Sequence, residues 1–200
     1  MALKNISKLS KRRQGELIGQ IYKYIYLYND FFIPRTRVYL KEIAQLSDTI
    51  YWLEHPKTSE VTSLAIIDPR YNFNLENLDW VVIGHTISKI PNQIHNILDH
   101  IMGDYSNSNI ILLSRELFAN AMQLNENYKF VCMRPADLIE HWPDLANMNT
   151  DYFNLVSGES MASGCSRKGY NVYVRVNDTH KAEIKVSNPK LSEFLSTATE

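Results

Sequence analysis

The chain has 200 residues, which is enough for one domain with a full hydrophobic core. Apolar residues make up 44% and charged residues 22%, and the net charge of −1 gives no electrostatic argument for binding nucleic acid or a membrane surface. Its two cysteines form no C-x-x-C pair, and no apolar run has the length of a membrane span. We therefore expect a cytoplasmic, reduced protein without a secretory signal.

The first 48 residues predict helices. Residues 1–10 are expected to fray. From Lys11 to about Phe32 apolar residues fall at helical spacing, which favours a helix, although alternating tyrosines in residues 22–28 also suit a strand. Residues 36–47 predict a second, short helix, with Val38, Ile43 and Leu46 partly on one face. We therefore predict that residues 1–48 form a helical segment packed on the domain.

Residues 49–186 predict an α/β core. Thr49–Glu54 and Val61–Asp68 predict an antiparallel hairpin, followed by a loop to Asn77. Residues 78–130 then read as strand, helix, strand and helix, with an apolar run from Trp80 to Ile83 that is typical of a buried strand. The crossover helix is predicted to have an apolar face, formed by Ile90, Ile94, Ile97, Leu98 and Ile101.

The rest of the chain predicts shorter elements. Strands are expected at 128–133, 153–156 and 171–176, with a short helix after Pro135. A Ser- and Gly-rich stretch, residues 157–169, predicts a mobile loop. Residues 187–200 form a tail with one amphipathic turn. The overall expectation is a central mixed β-sheet flanked by helices.

This order of elements resembles the GNAT superfamily, the GCN5-related N-acetyltransferases. The most specific part is NAMQLNENYKF, residues 120–130, because the family often has N-A-x-x-L-Y-E-x-x-G-F in the helix after its fifth strand. The residues that match in register are Asn120, Ala121, Leu124, Glu126 and Phe130. The resemblance covers about residues 50–133 and implies an N-acyltransferase that uses acetyl-CoA.

The acyl-CoA loop departs from the family. The family pattern Q/R-x-x-G-x-G/A aligns with residues 89–94, KIPNQI, in which both glycines are replaced. Such glycines let backbone N–H groups approach a pyrophosphate at a helix N-terminus, and Pro91 has no N–H to offer. The resemblance still implies cofactor contacts at Lys89, Ile90, Asn92, Gln93 and Asn120.

The catalytic residues depart as well. Asn125 stands where the family usually has the tyrosine that protonates the thiolate, and Tyr128, one turn further on, is a candidate substitute. The resemblance places a general base on the fourth strand, where Asp79 and His85 are candidates and His85, at the strand's end, titrates in the right range.

The sequence gives only weak support for a hydrolase site or a metal site. Residues 158–162, GESMA, resemble a nucleophile elbow, but too little chain follows for a hydrolase sheet. His95 and Asp99 lie one turn apart without a third ligand, so no metal site is predicted.

Two hypotheses follow. The first is an acetyl-CoA-dependent N-acyltransferase. The second is a non-catalytic GNAT-like adaptor or subunit, which the lost glycines and the lost tyrosine favour. Its candidate docking surface for a partner protein is aromatic and comprises Tyr22, Tyr26, Phe31 and Phe32.

Overall fold

A computed structural model of the chain describes residues 4–27, 35–46, 49–75, 78–90, 92–114, 127–133, 140–141, 171–181 and 189–197. These residues fall into two compact units, Met1–Pro69 with Ile83–Asp104, and Arg70–Val82 with Tyr105–Glu200. Strand β5, Leu78–Ser88, begins in the second unit and ends in the first.

Among its described residues, the first unit contains three α-helices and four strands. They are β1 (Lys4–Asn5), α1 (Lys11–Leu27), α2 (Arg37–Ile43), β2 (Ile50–Glu54), β3 (Val61–Ile67), the end of β5, and α3 (Gln93–Asp104). The strands lie in the order β1-β2-β3-β5, and each neighbouring pair is antiparallel. The predicted hairpin of β2 and β3 is therefore confirmed.

The prediction that residues 1–10 fray is wrong for residues 4–8, which form a strand and a 3-10 turn. Residues Lys4–Asn5 pair with Tyr51 and Trp52 of β2, and a 3-10 turn follows at Ile6–Lys8. Ile6 is fully buried in the core that α1, α2, β2 and β3 share. Its burial removes apolar surface from water and thereby holds the start of the chain in place.

The alternating tyrosines suited either a helix or a strand, and the structure shows that they belong to helix α1 as far as Leu27. Its buried residues recur every three or four positions, from Leu17 to Ile25. Tyr24 is buried on this face, whereas Tyr26 is 64% exposed. Helical period therefore outweighs the alternating pattern here, because one continuous stripe covers the sheet.

Helix α2 is shorter than predicted. The Thr36 side chain caps it by accepting a hydrogen bond from the backbone N–H of Tyr39 at 3.1 Å. It packs through Leu40 and Ile43, while Val38 and Leu46, which were expected on the packed face, are exposed.

Two β-bulges shape β3 and β5. Leu53 pairs with Ser63 and Glu54 with Val61, so Thr62 is an extra residue on β3. Ile67 pairs with Ile83 and Ile66 with His85, so Gly84 is an extra residue on β5. Bulges bend a strand and redirect its side chains, and the bulge at Gly84 lies on β5, the strand that leads to α3.

The second unit contains β4 (Phe73–Leu75), the start of β5, β6 (Asn109–Ser114), β7 (Val131–Met133), β8 (Asn171–Arg175) and the helix α4 (Pro189–Thr197). Its strands lie in the order β5-β6-β8-β7, with β4 paired to β5. Residues 68–77 are therefore more than the predicted loop, because β4 forms a short antiparallel pair with β5.

The predicted mixed α/β class is confirmed. Several other predictions fall outside the described residues, among them most of the helix at 116–130, the strand at 153–156 and the loop at 157–169. The division at residues 48 and 186 stays a prediction. Within the part of the chain that the structure describes, no helix is long and apolar enough to cross a membrane.

One acceptor joins α1 to β2. Glu54 Oε1 accepts hydrogen bonds from Arg13 Nη2 at 2.7 Å and from the indole nitrogen of Trp52 at 2.9 Å, and Trp52 is fully buried. We predict that Glu54→Ala lowers the free energy of unfolding by about 1–3 kcal/mol, because it leaves a buried donor unpaired. Glu54→Gln keeps an acceptor oxygen and should cost less. Urea unfolding of the two variants measures the difference, and equal losses would contradict this account.

Candidate active site

The candidate site is the junction between β5 and α3, where the sequence placed the acyl-CoA loop. Strand β5 ends at Ser88, and α3 begins at Gln93. Immediately before the helix, Asn92 has a left-handed backbone with φ of 64°. Asparagine is one of the few side chains that tolerate this conformation, which otherwise favours glycine. The chain therefore makes a glycine-type turn without a glycine.

Gln93 faces inward and is only 8% exposed. Its side-chain oxygen accepts hydrogen bonds from Thr62 Oγ1 at 2.8 Å and from Ser63 Oγ at 2.9 Å. Thr62 is the bulged residue of β3, so the bulge directs its hydroxyl toward the start of α3. Gln93 is therefore a structural anchor of the helix through its side chain, and its predicted contact with the cofactor stays a prediction.

A second serine continues this cluster. Ser88 Oγ lies 2.7 Å from Ser63 Oγ and donates to the carbonyl of Ile90 at 2.6 Å. Ser63 and Ser88 each have one hydroxyl proton, whereas Gln93, Ile90 and the contact between the two serines offer three places for them. The two protons therefore fill two of these three contacts at a time, and each possible arrangement holds the loop by hydrogen bonds.

Both the backbone N–H and the side-chain ammonium of Lys89 have partners. Its backbone N–H donates to the carbonyl of Thr62 at 2.8 Å. Its ammonium lies 2.6 Å from Glu60 Oε1 and 4.2 Å from the ring centroid of Tyr24. Burial lowers the pKa of Lys89, but the bond to Glu60 and the contact with Tyr24 outweigh it, so the pKa lies above its ordinary value. The hydrogen bond from Lys89 in turn lowers the pKa of Glu60.

The two isoleucines of the predicted loop differ in exposure: Ile90 is exposed and Ile94 is buried. Ile90 was predicted on the apolar face of α3, but it precedes the helix and is 36% exposed. Ile94, which stands at the second glycine position of the family loop, is buried in α3 at 6% exposure. Its branched side chain packs into the core, so it does not obstruct the solvent side of the loop.

Two backbone donors at this helix start already have acceptors. The N–H of Gln93 donates to the carbonyl of Ile90 at 3.3 Å, and the N–H of His95 donates to the carbonyl of Asn92 at 3.2 Å. Both bonds are at the long end of the normal range for N–H donors. An anion at this helix N-terminus would compete with these two carbonyls.

His85 does not lie where the sequence placed it. It lies inside β5, three residues before the strand ends, opposite Ile66 and directly after the bulged Gly84. Its side chain is completely buried. A strand that continues past His85 encloses it, so the predicted open position at the strand's end is wrong.

The other predicted catalytic residues belong to the second unit. Asp79 is exposed near the start of β5, where its carboxylate accepts a hydrogen bond from Asn74 Nδ2 at 3.1 Å. Tyr128 is 8% exposed and packs edge-to-face on Phe130, with ring centroids 6.5 Å apart. The predicted contact at Asn120 lies outside the described residues.

The aromatic docking surface is partly described. Tyr22 and Tyr26 stack with ring centroids 6.3 Å apart, and the Arg37 guanidinium lies 4.8 Å from the Tyr22 centroid. Leu27 and Val38 beside them are each 65% exposed. Phe31 and Phe32 lie outside the described residues.

Sequence reasoning missed the partners of the loop. Glu60, Thr62 and Ser63 come from β3 and its approach, and Tyr24 comes from α1. No motif marks them, because their relation to Lys89 and Gln93 exists only after the strands pair. Among the described residues, no group of three His, Cys, Asp or Glu side chains lies close enough to hold a metal ion.

Comparison with known proteins finds a likeness in structure and none in sequence. No protein-family model and no curated protein matches the chain. A solved structure of Arabidopsis thaliana Naa50, in complex with the bisubstrate analogue CoA-Ac-MVNAL, is similar over 88% of this chain and 97% of that chain. The identity is 10% and the TM-score 0.48. The described residues form the mixed sheet flanked by helices that the sequence predicted, and membership of the GNAT superfamily stays a prediction from the sequence.

The Gln93 anchor gives a stability prediction. Gln93→Met keeps the length of the side chain but removes an acceptor that Thr62 and Ser63 share. Their hydroxyls keep the carbonyl of Leu53 and the Ser88 hydroxyl as partners, so we expect a loss of about 1–2 kcal/mol in the free energy of unfolding, the net value of the two hydrogen bonds to Gln93. Asn96→Met, on the exposed part of the same helix, is the matched control and should change stability by less than about 0.5 kcal/mol. Chemical unfolding of both variants tests this, and a neutral Gln93→Met would show that the hydroxyls do not depend on Gln93.

Proposed function

We propose that this chain is an N-acyltransferase of GNAT type that transfers an acetyl group from acetyl-CoA to a primary amine. The observation that supports it is the left-handed turn at Asn92. Asn92 stands at the first glycine position of the family loop, and its left-handed backbone is a conformation that glycine adopts readily. The second departure, Ile94, is directed into the core.

The exposed groups of the β5–α3 junction also suit a phosphate ligand. Asn92 and Lys89 are both solvent-accessible, and α3 is a helix of 12 residues whose N-terminus follows directly. The partial positive charge of a helix N-terminus favours an anion there. Lys89 supplies a full positive charge on the same loop.

In the proposed reaction the acceptor amine attacks the thioester carbonyl. A C–N bond forms, the C–S bond breaks, the amine loses a proton to a base, and the departing thiolate takes one up. His85, Asp79 and Tyr128 stay the predicted groups for these proton transfers. Because His85 is enclosed, it would act on the amine only through a relay of hydrogen bonds.

Acetyl-CoA binding tests this proposal. A ligand at 100 times its dissociation constant stabilises a protein by about 2.7 kcal/mol, so acetyl-CoA should raise the melting temperature of the wild type. Asn92→Gly preserves the left-handed turn and should keep this shift. Asn92→Val disfavours the turn, because a β-branched side chain clashes at positive φ, and should reduce the shift measured against its own ligand-free baseline.

The same preparations are assayed for CoA thiol release with amine acceptors such as lysine peptides and free peptide N-termini. No melting shift with millimolar acetyl-CoA in the wild type, or an equal shift in Asn92→Val, would contradict the proposal.

A second candidate function is supported by the Tyr22–Tyr26 stack. The exposed Tyr26 ring stacks on the half-buried Tyr22 ring, and the apolar Leu27 and Val38 are also exposed. Aromatic and apolar groups of this kind are typical of protein-binding surfaces, and Arg37 adds a positive charge. The partner that fits is a protein that presents apolar side chains flanked by carboxylates. In this case the chain would act as an adaptor and need no acyl-CoA.

If the chain is an adaptor, a substitution on this aromatic surface should specifically abolish binding of the partner. Tyr26→Asp should abolish binding of the partner, because it introduces a negative charge into an apolar contact, whereas Lys11→Asp at the other end of α1 should leave it unchanged. Pull-downs with the three proteins, followed by reconstitution with the purified partner, measure this. A partner bound equally by all three forms would exclude this surface.

A further inference from the structure

Glu60 lies where it competes with a ligand for the one lysine of the β5–α3 loop. Its carboxylate oxygen is 2.6 Å from the Lys89 ammonium. The side chains are 61% and 38% exposed, so solvent and dissolved anions reach both. An exposed pair of this kind contributes little net stability and is easily exchanged.

The backbones of both residues are fixed, so an exchange needs only side-chain rotation. The N–H of Lys89 donates to the carbonyl of Thr62 at 2.8 Å, and the carbonyl of Glu60 accepts from the N–H of His55 at 2.8 Å. The start of α3 is held separately through Gln93. Lys89 can therefore leave Glu60 without any change in the strands or the helix.

Each partner keeps a favourable contact after such an exchange. The Lys89 ammonium remains over the electron-rich face of Tyr24, 4.2 Å from the ring centroid. Besides Lys89, the charges of His55 and Lys23 also lower the pKa of Glu60, so its carboxylate stays in positive surroundings. The cost of separating the pair is correspondingly small.

We propose that the Glu60 carboxylate is a built-in competitor of the cofactor phosphates for Lys89, so that acyl-CoA binds by displacing Glu60 from this lysine. This inference rests on the proposed acyl-CoA site. Glu60 is thus a regulatory residue that sets the affinity and the salt dependence of cofactor binding and takes no part in the chemistry.

The test measures acetyl-CoA affinity by calorimetry for the wild type, Glu60→Gln, Lys89→Ala and the double variant. Glu60→Gln removes the competing charge and should tighten binding about two- to fivefold at about 0.1 M salt. This gain should shrink toward zero at about 1 M salt, where the Debye length falls to about 3 Å. In the Lys89→Ala background Glu60→Gln should give no gain.

Asp178→Asn is the matched control, because Asp178 is an exposed carboxylate paired with Lys129 and Lys181, neither of which belongs to the loop. It changes the net charge equally and should leave the affinity unchanged. A gain from Glu60→Gln that persists with Lys89→Ala, or that Asp178→Asn matches, would overturn the inference, as would unchanged or weaker binding. Binding by the wild type with no gain contradicts this inference alone, whereas no binding by any variant contradicts the proposed function itself.

Discussion

The side-chain oxygen of Gln93 holds the candidate site together. It is the acceptor at which two hydroxyls of β3 meet the first residue of α3. Because a buried hydroxyl without an acceptor is costly, this arrangement fixes the helix start relative to the strand. The positions of Asn92 and Lys89 follow from it, since both lie on the short loop between Ser88 and Gln93.

The bulge at Thr62 makes this anchor possible. One extra residue in β3 lets Thr62 and Ser63 both direct hydroxyls to the same oxygen, although consecutive residues of a regular strand point to opposite faces. The carbonyl of Thr62 also holds the backbone of Lys89. A single irregularity in one strand thus supports the helix start and the loop before it.

The junction uses its polar groups for internal contacts to an unusual extent. Gln93 is committed to β3, Lys89 to Glu60 and Tyr24, and two helix N–H groups to nearby carbonyls. A binding loop with glycines leaves such groups to the ligand. Here a ligand would have to displace existing contacts, and the exposed Lys89–Glu60 pair is easier to displace than the buried Gln93 cluster.

The sequence by itself determined the periodic elements and the turn. The spacing of apolar residues predicted α1, α3 and the buried strands, because one face of each must be removed from water. It also placed the loop of residues 89–94 between a strand and a helix, where β5 ends and α3 begins. Only the tertiary structure decided that His85 is enclosed, that Gln93 is an anchor, and that Glu60 lies against Lys89. These outcomes depend on which strands pair and in which register, and residues that are tens of positions apart carry no local signal of that pairing.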